Sequence, residues 1–159
     1  MRQATTKNAR KVTIVEIKKF DEALQSVPKA PFGALVVLPG AELGLYKKAQ
    51  IRAARILATH LMECGCSWIT LHGGRQTDAI LAQFDEAVVD YQLAGHPDAE
   101  CGSSGDPNND LEESVREAVY WGKAQYEGAL GDLLCVIVAD EPAPWGDRVE
   151  SLVQSVEDL

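Results

Sequence analysis

The sequence predicts a single α/β domain with about four mostly parallel strands and helices on both faces, a three-layer arrangement. Three observations predict it. Four short runs, at 11–17, 33–38, 66–72 and 133–139, are β-branched or continuously apolar. Segments of helical periodicity separate them, and strands that alternate with helices favour a parallel sheet covered on both sides. No linker, repeat or low-complexity block divides the 159 residues, so residues 11–159 read as one domain of ordinary size.

The elements follow in order. Residues 1–10 (MRQATTKNAR) are polar and basic without periodicity, and read as a flexible tail. KVTIVEI, 11–17, alternates as a strand. Phe20, Ala23, Leu24 and Val27 recur at helical spacing, and Pro28 ends that short helix. GALVVL, 33–38, has the continuous apolar pattern of a strand buried on both faces, closed by Pro39-Gly40. A long helix over 42–63 would bury a stripe of Leu45, Ala49, Arg52/Ala53, Ile56, Leu57 and Leu61, with Gly65 as its C-cap. CSWITLH, 66–72, is the third strand. His72-Gly73-Gly74 turns the chain into a helix capped by Thr77, with Ile80, Phe84, Ala87, Val88 and Tyr91 inward.

Residues 95–110 are rich in turn formers and read as a long loop. Asp110 and Glu113 are spaced as a capping box for a helix that buries Leu111, Val115, Ala118, Val119 and Gly122. LLCVIVA, 133–139, is the most apolar run and the best candidate for a central strand. Gly146-Asp147 opens a last helix that carries Val149, Leu152, Val153 and Val156 on one side. Right-handed crossovers leave few topologies, and the order 2-1-3-4 is favoured among them.

Charge is distributed unevenly. Residues 1–94 hold 12 Lys/Arg against 9 Asp/Glu, a net of +3, whereas residues 95–159 hold 3 against 15, a net of -12. The overall charge of -9 opposes sequence-independent nucleic-acid binding, which needs clustered cations. It suits a basic protein partner. No apolar leader or run of about 20 apolar residues is visible. A cytoplasmic location without membrane insertion is therefore expected, with Cys64, Cys66, Cys101 and Cys135 as reduced thiols.

In parallel sheets, ligands bind beyond the carboxyl ends of the strands. That edge would gather His72, Gly73, Gly74, Arg75 and Asp78 from the third strand, Asp140 and Glu141 from the fourth, and Pro39-Gly40 from the second. A histidine could act as base or ligand near neutral pH, and the glycines would admit a ligand to the backbone. A plain strand-to-helix turn explains the same residues, and neither GxGxxG nor GxxxxGK[ST] occurs.

No metal or cofactor is expected. His60, Cys64, Cys66 and His72 are zinc-type ligands, but Cys66 and His72 stand at opposite ends of one strand, about 20 Å apart. Asp106, Asn108, Asp110 and Glu117 match part of an EF-hand loop, yet Leu111 takes the place of its turn glycine. No GxSxG occurs, Cys135 lies in an apolar strand where it should be inert, and no orienting group for a triad is apparent.

Two segments resemble a known family. ECGCSWITLHGG with the later FDEAV, and the acidic helix entry DLEESVREAVYW, are similar to parts of a family of small bacterial α/β domains without an assigned activity. The similarity covers roughly residues 30–140. Members carry Trp-Gly where this chain has His72-Gly73, and a His where it has Asn108 or Asn109, which speaks against a catalytic role for either position. The resemblance implies a fold and no function.

Two functional readings follow. The first is a non-enzymatic interaction module of inhibitor, immunity or regulatory type. It would bind a basic protein through Glu112, Glu113, Glu117, Tyr120 and Trp121 of the acidic half. The second is a small-ligand or nucleotide-binding domain, or an enzyme, with its site at His72–Asp78 and Asp140.

Overall fold

In chain order the elements are β1 (Arg2–Thr5), β2 (Lys11–Ile17), β3 (Phe32–Val37), α1 (Pro39–Glu42), α2 (Lys48–Glu63), β4 (Cys66–His72), α3 (Thr77–Leu93), β5 (Gly102–Ser104), α4 (Leu111–Ala124), β6 (Leu133–Val138) and α5 (Ala143–Ser155). They come from a computed structural model that describes residues 1–124 and 132–156, the side chains of 121–124 excepted. The architecture is α/β, with one mixed six-stranded sheet in the order β1-β2-β6-β3-β4-β5. β1 runs antiparallel to β2, and every other pairing is parallel.

Strand alternation builds two cores. Val15, Ile17, Ala34, Val36, Ile69, Leu71, Val136 and Val138 face one side, where they meet Ala54, Leu57 and Leu61 of α2 and Ile80 and Phe84 of α3. The intervening Val12, Ile14, Leu35, Val37, Cys135 and Ile137 face the other side, against Leu111, Val115 and Val119 of α4 and Val149 and Val153 of α5. The three layers thus arise from period-two strands lying between amphipathic helices.

The favoured strand order is corrected. In the numbering of the four anticipated strands, 2-1-3-4 gives way to 1-4-2-3, so none of its neighbour pairs survives. The physical reason lies in β6. All six of its residues are buried, a pattern that needs strands on both edges and helices on both faces. It therefore inserts between β2 and β3 and is central, as its composition suggested. The chain reaches that slot through α4, which runs back over β4 and β3 on the face opposite α2 and α3.

The first ten residues are not a free tail. β1 pairs with β2 from Arg2↔Ile14 to Thr5↔Lys11, and Ala4 is buried. Arg2 fixes it: Nε donates to Glu16 Oε1 at 2.8 Å, and one terminal nitrogen donates to Asp147 Oδ1 at 2.5 Å and to Glu150 Oε2 at 3.1 Å. These three carboxylates hold the guanidinium firmly protonated, Asp147 contributing most. Gly146 makes room for the cluster, since a Cβ there would stand 2.9 Å from Glu16 Cδ.

Three further expectations are revised. The short helix over 20–27 is absent; the segment forms turns and bends. Phe20 is buried, but Ala23 and Val27 are exposed, so its apolar stripe is too thin to offset the cost of nucleating two turns. The helix expected over 42–63 is split, because Gly44 at φ +72° breaks it between α1 and α2. The loop 95–110 contains β5, which adds to β4 opposite Trp68–Thr70. Asp110 does cap α4, accepting the Glu113 N–H at 2.8 Å. Among the described residues, no helix is long and apolar enough to cross a membrane.

Candidate functional site

The strand order creates a crevice. β3 leads into α1 and α2 on one face of the sheet, while β6 leads into α5 on the other. Adjacent parallel strands whose chains leave in opposite directions leave a gap beyond their carboxyl ends. A cleft of about 720 Å³ occupies that gap. Lys18 to Asp21 follow β2, Pro39, Gly40, Leu43, Leu45 and Tyr46 follow β3, and Ala139 to Glu141, Pro144 and Trp145 follow β6; Gln50, Ala53 and Ile56 of α2 form the remaining wall.

The walls are mainly apolar and partly wet. Leu43 is 64% exposed, Leu45 66% and Ile56 40%. Both Leu45 and Ile56 were anticipated as buried helix positions. The break at Gly44 takes Leu45 off the helix, and the start of α2 at Lys48 turns Ile56 toward the cleft rim rather than the core. Phe20 and Tyr46 meet edge to face at 6.0 Å between ring centroids.

Tyr46 is held rigidly. Its N–H donates to Gln76 Oε1 at 3.0 Å, and its carbonyl accepts from Gln76 Nε2 at 2.9 Å. Its ring lies on Gly40, where an added Cβ would come within 2.5 Å of Cε1. Burial first, and the Asp140 carboxylate second, push its hydroxyl up to about 12. It therefore remains a neutral donor and acceptor at physiological pH, and Asp140 stands close enough to feel it.

The structure divides the expected ligand residues. Asp140 is exposed and lines the cleft, but His72, Gly73, Gly74, Arg75 and Asp78 do not. Strand parity explains this. Leu71 faces the α2–α3 core, so His72 faces the α4 side, away from the cleft. His72 is buried, its Nδ1 2.8 Å from Ser114 Oγ on α4. Its Nε2 lies 3.2 Å from Glu42 Oε1, too far off line to count as a hydrogen bond. The chain Ser114–His72–Glu42 resembles a triad in composition, but Ser114 is itself buried and lines neither this cleft nor the groove beside α4. Its role is to join α1, β4 and α4.

Gly73 and Gly74 behave as a turn. Gly74 has φ +49°, and a Cβ there would fall 2.5 Å from Glu42 Cα and 2.7 Å from Glu42 O. The space a ligand would need is filled by α1. Arg75 and Asp78 are exposed, Asp78 in the first turn of α3. Thr77 begins α3 and donates its hydroxyl to the Gly74 carbonyl at 2.8 Å.

On the acidic half, Glu112 and Glu113 are exposed on α4, Glu117 is half-buried and Tyr120 is 48% exposed. The side chain of Trp121 lies outside the described residues. Arg116 pairs with Glu112 at 3.0 Å on the same face and tempers its charge. A shallow groove of about 480 Å³ beside them is lined by Asp110, Leu111, Glu112, Asp147, Arg148, Ser151 and Leu152.

Cys64, Cys66 and Cys101 gather at the start of β4, and none of the four cysteines forms a disulfide. Burial raises the Cys66 and Cys135 thiols well above the ordinary range, with Cys101 and Glu16 as the respective secondary causes. Among the described residues, no three His, Cys, Asp or Glu side chains converge to hold a metal ion. Comparison with protein-family models, curated proteins and solved structures returns no match to this chain.

Proposed function

We propose that the chain binds a small organic molecule in the cleft beyond β2, β3 and β6. One observation carries this reading: the crevice at the switch in chain direction keeps Leu43, Leu45 and Ile56 open to solvent beside the rigid Tyr46. Its volume lies within the roughly 300–1,000 Å³ typical of small-molecule sites. Exposed apolar groups grouped in a concave site are what an apolar ligand body would cover. The lining side chains that carry polar groups are carboxylates, lysine amines, the Gln50 amide, the Tyr46 hydroxyl and the Trp145 indole, without a histidine, cysteine or serine among the described residues. These groups can bind a ligand as well as transfer protons, so the reading rests on the shape and apolar walls of the cleft.

A thermal-shift screen of small amphipathic molecules tests the reading, with Ala53→Phe as the control that fills the cleft. Compounds that raise the wild-type Tm and leave Ala53→Phe unmoved support it. Compounds that stabilise both proteins equally bind elsewhere and count against it.

A second reading is favoured by a separate observation. Glu112, Glu113 and the half-exposed Tyr120 share the outer side of α4, next to the groove that holds Asp110 and Asp147. An aromatic residue among carboxylates suits a basic protein partner. Charge reversal at Glu113 and Glu117 would weaken such a complex and reduce its salt sensitivity; no change in either would remove the reading.

A further inference from the structure

The charges of the cleft narrow the class of ligand. Three carboxylates line it, Asp21, Asp140 and Glu141, against the amines of Lys18 and Lys19. All five side chains are exposed, and they differ in reach. Asp140 lines the cleft together with Tyr46, and its carboxylate is the second cause, after burial, of the raised Tyr46 hydroxyl. Lys18 and Lys19 are exposed, with long stems that let their heads stay in water.

An anion finds little to hold it here. The amino end of α5 opens on the rim, and a helix N-terminus ordinarily attracts anions through free N–H groups. Here Pro142 and Pro144, at the start of that helix, carry no N–H, and Asp140 and Glu141 immediately precede it with their own negative charge. Phosphate groups are thereby disfavoured, and a nucleotide with them. A cation finds the opposite: a carboxylate, a neutral tyrosine oxygen able to accept a hydrogen bond, and aromatic rings. One ring already receives a cation, since the Arg148 guanidinium carbon sits 4.8 Å from the Trp145 ring centroid.

We infer that the cleft takes an amphipathic organic cation: an apolar body laid against Leu43, Leu45 and Ile56, with a protonated amine between Asp140 and the Tyr46 hydroxyl. This inference rests on the small-ligand reading of the cleft and specifies it.

Calorimetric titration of the full chain with three probes of one shape tests it: 2-phenylethylamine, 2-phenylethanol and phenylacetate. The amine is expected to bind roughly ten-fold more tightly than the alcohol, and the carboxylate more weakly than either. In Asp140→Asn the gap between amine and alcohol closes, chiefly through weaker binding of the amine, because the charge it pairs with is gone. If the alcohol matches the amine in the wild type, the cation assignment is overturned and the cleft remains a binding site. Strongest binding of the carboxylate overturns it as well. If none of the three binds, the cation assignment is overturned, and the thermal-shift comparison with Ala53→Phe decides the cleft itself.

Discussion

Replacing Gly74 by alanine separates the two roles open to the His72-Gly73-Gly74 turn. If the turn admits a ligand, there is space beside it for a methyl group. If it packs against α1, there is none. At Gly74 the φ of +49° lies in the left-handed region, where an L residue costs about 1–2 kcal/mol. The new Cβ would also overlap Glu42 backbone atoms at 2.5 and 2.7 Å, and backbone cannot rotate away as a side chain can. Overpacking of this kind costs about 1–3 kcal/mol. A loss of roughly 3 kcal/mol lowers Tm by roughly 6–12 °C in a domain of this size. Gly73 is the internal control. Its φ is -131° and its added Cβ would meet Thr77 Oγ1 at 3.2 Å, so Gly73→Ala stays within about 1 kcal/mol of wild type. Thermal and denaturant unfolding of both variants, followed by circular dichroism, makes the comparison. Equal stability of the two variants would refute the packing role and reopen the turn as a ligand site.

Other expectations concern the N-terminal strand, the buried histidine and Tyr46. Arg2→Ala removes three charge-assisted contacts, of which only the one to Glu16 is well sheltered; it should cost about 1–2 kcal/mol and speed hydrogen exchange across Arg2–Thr5. Unchanged exchange there would show that β1 is held by its ladder alone. Ser114→Ala strips the buried His72 Nδ1 of its partner, so a cost of about 1–2 kcal/mol is expected in denaturant unfolding, with no effect on ligand affinity at the cleft. The Tyr46 hydroxyl, titrated by its ultraviolet absorbance, should ionise near 12, and Asp140→Asn should bring it part of the way back toward 10, burial being the larger cause. Because the folded chain keeps this proton while the unfolded chain releases it near 10, the folded state binds more protons between those values. The associated stability is complete below pH 10 and is lost as pH rises from 10 to about 12. A Tyr46 that ionises near 10 would contradict its burial beside Asp140.

Much of the fold was legible because it is written in local pattern. Four strands, the cap at Asp110, and the inward stripes of α3 and α4 follow from alternation, 3.6-residue periodicity and side-chain chemistry near the helix ends. The strand order was not, since it depends on α4 carrying the chain back across two strands, a distance no short pattern encodes. β1 and β5 were missed for another reason. In β1 only Ala4 is buried, and β5 is Gly-Ser-Ser, so neither displays the apolar signal of a strand. The carboxyl edge was legible as the place for a cleft, which Asp140, Glu141, Pro39 and Gly40 border. His72 was misassigned although the alternation beside Leu71 already put it on the opposite face. Phe20, Tyr46 and Trp145 come from segments far apart in sequence, and only the insertion of β6 between β2 and β3 brings them together.

If the cleft, and not the glycine turn or the acidic helix, receives a ligand, the contact must show at its lining residues. Amide chemical-shift mapping by NMR during titration with 2-phenylethylamine tests this most directly. Saturable shifts are expected at Gly40, Tyr46, Ala53, Ile56, Asp140 and Trp145, with residues 73–78 and 112–120 unmoved. Shifts concentrated at residues 73–78 or 112–120, with the cleft silent, would contradict it.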